Sequence, residues 1–240
     1  MRLVLLTLLA AALVAPASAL ADDPYATPIT SLVEIRLSAF DPAIDDEFDG
    51  EGPYEAIFNN RAPYGLEIEY DRQIYRGIGS FAIGFHAGWT RVKGSALAED
   101  GSRSPDETRL VTFPLRLSAV YRFDWFQERF NVPLVLSLKA GLDSVLWSIK
   151  GEDGVSDWED ADGTSFTGRG MTNGWHAAIG LHLNLDWFAP GMARSFDVNA
   201  GVNNTYLFAE YMMTSINDFG GANSWDLSEN KAVFGIAFEF

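Results

Sequence analysis

The chain has 240 residues, no cysteine and a formal net charge of −16 at pH 7. A surface this acidic argues against nucleic acid as a partner and against simple attraction to anionic lipid headgroups. Because no disulfide can brace an exported fold without cysteine, its stability must come from a core or from a bilayer. After the N-terminus, no stretch is long and apolar enough for a transmembrane helix.

Residues 1–21 have the pattern of a cleaved signal peptide. Arg2 gives a short positive start, residues 3–14 are apolar apart from one threonine, and small residues precede a cleavage point after Ala21. The apolar run of about a dozen residues is too short for a spanning helix, which needs roughly twenty. We therefore predict export, with residues 22–240 forming one mature domain.

Alternation of apolar and polar residues, which is typical of a strand with one face in each environment, recurs eight times in the mature chain. The predicted strands cover residues 32–40, 65–74, 80–89, 111–121, 134–142, 175–187, 198–213 and 233–240. The seventh strand loses its phase near Asn203 and Asn204, which predicts a β-bulge. Several of these strands have about the length that crosses a bilayer at a tilt.

The predicted connections between these strands alternate in length. Long polar connections cover residues 41–63, 93–106, 150–171 and 216–224, and shorter ones cover residues 71–77, 124–131 and 189–195. Outer-membrane barrels have long extracellular loops and short periplasmic turns. The sequence therefore predicts an all-β fold, a single eight-stranded antiparallel up-and-down transmembrane β-barrel in the cell outer membrane of a Gram-negative bacterium.

Aromatic residues concentrate near the predicted strand ends. Two girdles at headgroup depth are expected, with Trp89, Trp147 and Trp175 at the outer ends and Trp125 and Trp187 at the periplasmic ends. The last strand alternates aromatics and ends on Phe238 and Phe240. This ending resembles the signal read by the barrel-assembly machinery of Gram-negative bacteria, which is therefore an expected partner.

Eight short segments carry a resemblance that spans nearly the whole mature chain. They are residues 53–55 (PYE), 114–117 (PLRL), 121–124 (YRFD), 139–143 (KAGLD), 175–178 (WHAA), 194–197 (RSFD), 205–211 (TYLFAEY) and 234–240 (FGIAFEF). In these segments the chain resembles an uncharacterised family of outer-membrane β-barrel proteins known mainly from myxobacteria. The resemblance implies a fold and a location, and it implies no activity.

The strand face opposite the apolar one collects charged residues and is assigned to the lumen. The predicted lumen network comprises Glu34, Arg36, Glu67, Glu69, Arg116, Lys139, Asp143, His176, His182, Asp186 and Glu239. An eight-stranded barrel is just wide enough for side chains to fill it, and buried charges need partners. The favoured interpretation is a charged network that fills the lumen. Because carboxylates outnumber basic groups, a narrow cation-preferring pore is an alternative.

The residues offer little support for a cofactor or a reaction. His176 and His182 lie six residues apart on one predicted strand, roughly 20 Å, so one metal ion cannot bridge them. Ser118 and Ser137 are predicted lumen serines, but no G-x-S-x-G or His-x-Ser motif joins a nucleophile to a base. We predict no metal, no cofactor and no catalytic residue, with a lipid-modifying outer-membrane enzyme as a minor alternative.

Two predicted outer segments, residues 41–55 and 152–162, are strongly acidic. Neither matches an EF-hand loop or a glycine-aspartate calcium repeat, so solvated anionic loops are favoured over a weak divalent site that bridges to lipopolysaccharide phosphates. The predicted function is a non-enzymatic structural or interaction role through these loops. Expected partners are outer-membrane lipid, lipopolysaccharide and an unknown loop-binding partner. A soluble periplasmic lipocalin-like barrel with the opposite parity is the remaining alternative.

Overall fold

The computed structural model describes residues 29–50, 52–59, 61–97, 103–130, 132–152, 154–159, 165–221 and 224–240. The predicted signal peptide, residues 1–21, lies outside them. The eight barrel strands are β1 (Ser31–Ala39), β2 (Tyr64–Gly77), β3 (Gly79–Leu97), β4 (Arg103–Phe123), β5 (Leu134–Gly151), β6 (Arg169–Asn184), β7 (Asn204–Ile216) and β8 (Asn230–Glu239). Each strand pairs antiparallel with the next, and β8 pairs with β1 to close the sheet. The predicted eight-stranded up-and-down barrel is confirmed.

Short elements decorate both ends of this barrel. On the side of the predicted outer loops lie a 3-10 helix (Ala43–Glu47), helix α1 (Pro53–Phe58) and a small hairpin that pairs residues 157–159 with 165–167. On the side of the termini lie α2 (Trp125–Phe130) and α3 (Pro190–Ala200). In the described part of the chain, every helix falls short of the length and apolar character that a membrane crossing requires.

Strand pairing continues well past the predicted ends of β3, β4 and β5. Lys93 lies opposite Arg109, which in turn lies opposite Lys150, although the sequence predicts loops at 93–106 and 150–171. In these extensions the alternation continues with inverted polarity, because charged side chains face outward and apolar ones such as Val92 and Leu110 face inward. These extensions project the β3–β5 surface beyond the apolar band.

The predicted turn 189–195 and the predicted strand start at residue 198 are both wrong. Residues 190–200 form α3, and β7 begins only at Asn204. Pro190 suits the first turn of a helix, and Gly201 ends the helix in the left-handed conformation with φ of 68°. The loss of phase near Asn203 therefore marks the approach to a strand from a helix, where the sequence predicts a β-bulge.

The two faces of the barrel wall are opposite in character. Apolar side chains project outward from the middle of the strands and are exposed, among them Ile35, Ile68, Phe85, Leu138, Ile179, Leu207 and Phe234. Charged and polar side chains of the same strands point inward and are buried. A soluble lipocalin-like barrel has the reverse arrangement, so that alternative is excluded. A polar interior behind an apolar exterior belongs to a barrel that spans a bilayer.

Candidate functional site

The middle of the lumen holds two cations among three carboxylates. Arg36 donates from Nη1 to Glu34 and, at 2.5 Å, to Glu69, and from Nη2 to Glu210. Lys139 Nζ lies 2.8 Å from Glu34 Oε2, 2.9 Å from Glu69 Oε2 and 3.4 Å from Glu210 Oε2. The five side chains, at most 3% exposed, are named the central ion cluster.

The strand register explains why the central ion cluster needs both cations. Glu34 lies directly opposite Glu69 in the β1–β2 ladder. Like charges at such a position destabilise a sheet. Here the same two carboxylates also face Arg36 from β1 and Lys139 from across the barrel. The cations therefore turn an unfavourable cross-strand pair into a shared ion cluster.

Glu67 is the centre of a second group nearer the outer mouth. His86 Nε2 lies 2.9 Å from Glu67 Oε2, Arg116 Nη1 lies 3.4 Å from the same oxygen, and Lys231 Nζ lies 3.4 Å from Glu67 Oε1. Lys231 also pairs with Glu229 at 2.5 Å. These five residues, named the outer ion cluster, tie β2, β3, β4 and β8 together across the lumen.

Ser118, His176 and Asp143 adopt the arrangement of a nucleophile, a base and an orienting acid. Ser118 Oγ lies 3.0 Å from His176 Nε2, and His176 Nδ1 hydrogen-bonds the Asp143 carboxylate. In the register, Ser118 and His176 flank Gly141, whose lack of a side chain lets them meet. A Cβ at Gly141 would lie 2.8 Å from His176 Cε1. All three side chains of the arrangement are buried, with Ser118 4% exposed.

The sequence predicts no such triad, because its members come from three strands and only the register brings them together. No short motif joins them. Interior parity of all three residues is the only sequence signal, and it becomes informative once the strands are aligned. Arg116 Nε approaches Asp143 Oδ2 at 3.4 Å, which links the triad to the outer ion cluster.

The periplasmic end of the lumen is closed by polar contacts to Glu239. Arg122 donates to Glu239 Oε1 at 2.9 Å, and Tyr206 and Asn204 donate to Oε2 at 3.1 and 2.7 Å. The Arg122 guanidinium lies 4.9 Å from the centre of the Tyr206 ring. Just above, His182 hydrogen-bonds Ser137 and stacks on an aromatic ring of β7.

Ten of the eleven predicted lumen residues lie buried inside the barrel, and Asp186 does not. Because β6 ends at Asn184, Asp186 lies in the following turn, half-buried, where it accepts the Thr205 backbone N–H at 3.1 Å. Partial burial raises the pKa of Asp186. Arg122 and Lys231 are network members that the prediction misses, since the predicted strands stop one or two residues short of them although the parity fits.

The outer mouth is closed by an apolar core in place of charges. The buried residues of this outer plug are Phe40, Ile44, Tyr54, Phe58, Val92, Leu110, Val145, Ile216 and Leu227, with Ile57, Trp147, Ile149 and Trp225 packed against them. The β1–β2 loop therefore folds inward over the lumen. Part of the acidic segment 41–55 thus serves as a lid.

Asp45 holds this lid together. Its carboxylate accepts the backbone N–H groups of Tyr54 and Glu55, both at 2.7 Å, and so caps α1 from the neighbouring 3-10 helix. The Tyr54 hydroxyl donates to the carbonyl of Arg61 at 2.6 Å. Burial, aided by nearby Asp41, raises the pKa of Tyr54 and keeps its hydroxyl neutral.

Trp147, predicted in the outer girdle, belongs to the plug instead. It has the interior parity of β5, stacks on Trp225 with ring centroids 4.4 Å apart, and donates to Thr172 Oγ1 at 3.2 Å. Proximity to a strand end suggested a girdle, but parity decides the face. By contrast, Trp89 and Trp175 are exposed on the outward face of their strands.

At the periplasmic end, Trp187 is exposed just beyond β6, and Trp125 lies half-buried in α2 against two phenylalanines. Phe238 lies outward on β8, and the Phe240 carbonyl accepts backbone N–H groups from residues 30 and 31 at the start of β1. Recognition of this ending by the assembly machinery stays a prediction.

The lumen has little free volume. Two cavities within it measure about 10 and 20 Å³, enough for about one water molecule each. In the described residues, no group of three or more His, Asp or Glu side chains is arranged to hold a metal ion. Around these two cavities, the described lumen residues are closely packed.

No protein-family model matches the chain, and no curated protein matches it. Among solved structures, the chain is similar to Ail, the attachment invasion locus protein of Yersinia pestis, in complex with the heparin analogue sucrose octasulfate. The identity is 11% and the TM-score 0.40, over 88% of this chain and 97% of that one. Neisserial surface protein A has 14% sequence identity to this chain and a TM-score of 0.40, over 88% of this chain and 96% of that one. The outer membrane protein OprG from Pseudomonas aeruginosa has 10% sequence identity and a TM-score of 0.45, over 91% of this chain and 99% of that one.

Proposed function

We propose that this protein is a non-conducting, non-enzymatic outer-membrane barrel that acts through its outer surface, in a structural or interaction role. The observation that carries the proposal is the filled lumen. Ion clusters occupy it from Glu239 to Glu67, and the outer plug covers them. In a barrel with a filled lumen, the groups that can contact a partner lie on the outer surface.

The surplus of carboxylates that favours a cation pore does not provide a path for ions. Arg36 and Lys139 occupy the lumen centre and are held by Glu34, Glu69 and Glu210. A passing cation would have to break these buried pairs, and buried ions left without partners cost several kcal/mol. Beyond them it would meet the apolar plug, which offers an ion no ligands.

The buried triad is better explained as structure than as catalysis. A catalytic serine needs a space about 3 Å away in which a reacting atom can sit. Ser118 is 4% exposed, and neither lumen cavity is lined by it. The hydrogen bonds of Ser118, His176 and Asp143 instead satisfy polar groups that would be costly to bury unpaired.

The acidic loops are the proposed interaction surface. Asp46, Asp49 and Glu55 are exposed at the rim of the plug, and Glu152 and Asp157 are exposed on the β5–β6 loop. Asp45 is used internally as a helix cap, so only part of segment 41–55 remains for a partner. A cationic partner or a bridging divalent ion fits this surface.

The experiment is expression of the folded protein in the outer membrane of a Gram-negative host that lacks general porins. We expect unchanged uptake of small solutes and unchanged lipid A and phospholipid profiles. A matched strain carries the variant D46N/D49N/E55Q, which removes exposed charge and leaves Asp45 in place. Solute uptake would overturn the proposal in favour of the pore, and altered lipids in favour of the enzyme. Cell-surface binding of a cationic probe that is equal for both proteins would count against the loop role.

A further inference from the structure

The extracellular extensions of β3 to β6 carry a basic surface on an otherwise acidic chain. Its five members have outward parity on their strands and are at least partly exposed: Arg91 and Lys93 on β3, Arg109 on β4, Lys150 on β5 and Arg169 on β6. We name this surface the basic belt. It is hidden in the sequence, where its members are spread over nearly 80 residues among acidic loops.

The strand register gathers these cations into two adjacent rows. Lys93, Arg109 and Lys150 are direct cross-strand neighbours on three consecutive strands. One row closer to the membrane, Arg91 and Arg169 stand at the two ends of a row completed by Val111 and Ser148. With strands about 4.8 Å apart, the whole belt is on the order of 15 Å wide.

Among the described residues, one carboxylate pairs with three of these five cations. Glu107 pairs with Lys93 at 3.0 Å and with Arg109, and lies 3.9 Å from Arg91. Hydrogen bonding from Arg109 and Lys93 lowers the pKa of Glu107, so it is ionised. Among the described residues, Lys150 and Arg169 have no ion-pair partner, and the buried Arg91 Nε has no hydrogen-bond partner.

Such a row of like charges is unfavourable for the sheet itself. Directly opposed like charges destabilise a strand pair, and here two such pairs follow one another. A single shared carboxylate offsets only part of that repulsion. The belt therefore has the charge and the free donors to bind an anion with several negative groups.

The depth of the belt identifies the anion. Trp89 lies outward two residues before Arg91 on the same face of β3, and Trp175 lies outward on β6 below Arg169. Indole rings of this kind sit at headgroup depth. Arg91 is therefore about 7 Å farther out along the strand, and Lys93 about 13 Å, at the level of headgroup phosphates and just beyond.

We propose that the basic belt binds the phosphate groups of the glycolipid in the outer leaflet. Arg supplies paired donors to phosphate oxygens and Lys a point charge, and a diphosphorylated sugar headgroup spans several strands. This inference rests on the proposed outer-membrane placement and orientation. It locates an attraction to anionic lipid in the five residues of the basic belt, although the net charge of the whole chain is negative.

The test compares two folded variants that lose the same charge. K93Q/R109Q/K150Q removes the row of the belt that lies farther from the membrane, and R76Q/R129Q/R194Q removes three exposed arginines at the periplasmic end. Binding of diphosphorylated lipid A and of enzymatically dephosphorylated lipid A is titrated in detergent by native mass spectrometry. The gel shift on boiling confirms that each barrel is folded, and K93R/K150R, which keeps the charge, serves as a further control.

We expect the native protein, the periplasmic variant and K93R/K150R to prefer diphosphorylated lipid A at least tenfold. The belt variant should bind it roughly 100-fold more weakly, since each lysine or arginine near an anionic membrane surface contributes measurably. Should the belt variant fail to fold, the native protein in rising salt gives the same answer, because an exposed electrostatic site weakens with ionic strength.

Three results would overturn the proposal. They are equal affinity of the belt variant and the native protein, equal affinity for phosphorylated and dephosphorylated lipid, and loss of lipid binding in millimolar inorganic phosphate, which would indicate a free-anion site. Failure of this inference leaves the solute-uptake experiment unaffected, so it is distinguishable from failure of the proposed function.

Discussion

The lumen is filled in two different ways along its length. From the periplasmic end to Glu67, strand side chains of opposite charge pair with each other across the barrel. At the outer mouth, loop side chains such as Tyr54 and Phe58 form an apolar core with the strand ends. The ionic part follows from strand parity, whereas the plug depends on how a loop folds back over the barrel.

This difference predicts two kinds of response to mutation. Breaking a buried ion cluster leaves charges without partners and costs far more than the net contribution of the pair. Trimming an apolar core has a graded cost that depends on the cavity left behind. Charge variants should therefore destabilise the whole barrel, and plug variants should open one end of it.

The largest effect is expected for Arg36→Met. This variant leaves Glu34, Glu69 and Glu210 around Lys139 alone, and loss of one partner of a buried pair typically costs 3–5 kcal/mol. The free energy of unfolding, measured by urea titration in lipid vesicles, should fall by about that amount. Arg129→Met on exposed α2 is the control and should change it by less than about 0.5 kcal/mol. Equal effects of the two variants would refute the central ion cluster as a source of stability.

A smaller and local effect is expected for Phe58→Ala in the plug. Loss of a buried aromatic side chain costs about 3 kcal/mol, but here the cost falls on the lid. Limited proteolysis should cleave the β1–β2 loop faster, while the gel shift on boiling is unchanged. Phe48→Ala, at an exposed position of the same loop, is the matched control. A lid that stays resistant in Phe58→Ala would show that the plug does not depend on this packing.

Ser118→Ala should cost about 1 kcal/mol in unfolding free energy, since it removes one buried hydrogen bond to His176. The native protein should also fail to react with a fluorophosphonate probe, because the hydroxyl is enclosed. Labelling of the native protein that disappears in Ser118→Ala would reveal an accessible nucleophile and contradict the structural role of the triad.

The smallest effect concerns pH at the outer surface. Asp218 Oδ1 accepts hydrogen bonds from the backbone N–H of Asn173 at 2.8 Å and from the side-chain Nδ2 of Asn173 at 3.0 Å. These hydrogen bonds lower the pKa of Asp218. A lowered folded-state pKa gives stability that is present above the unfolded value of about 3.9 and is lost as pH falls through the folded value. Amide exchange at Asn173 should therefore show extra opening at acidic pH in the native protein. Asp218→Asn should remove that pH dependence, and its persistence would assign the effect to another group.

Parity predicted most of the lumen because a strand has only two faces. Residues two apart on one strand share a face, so assigning one member of a pair to the lumen assigns the other. Examples are the pair Glu34 and Arg36 and the pair Glu67 and Glu69. The same rule places Trp147 inside, where the plug encloses it, although its position near a strand end suggested the girdle. The alternation of residues along a strand thus predicts which face a residue occupies better than its distance from the strand end does.

Features that depend on register or on loop folding lie beyond the sequence pattern. The Ser118–His176 contact needs Gly141 aligned between its two partners, and the plug needs the β1–β2 loop to turn inward. The net charge of the chain likewise does not show where its charged residues lie in the fold. A value of −16 argues against anionic headgroups only if the cations are dispersed, whereas pairing of β3 to β6 collects five of them.

Single-channel recording tests the filled lumen most directly. The native protein, folded and inserted in a planar bilayer, is compared with a variant that lacks residues 42–61 and carries Arg36→Met and Lys139→Met. The deletion removes the plug residues of the β1–β2 loop, and the two substitutions remove the cations of the central ion cluster. The native barrel should give no conductance steps above the bare bilayer, and the altered barrel should give brief, cation-selective ones. Stable cation-selective steps from the native protein would contradict the account and identify the barrel as a pore.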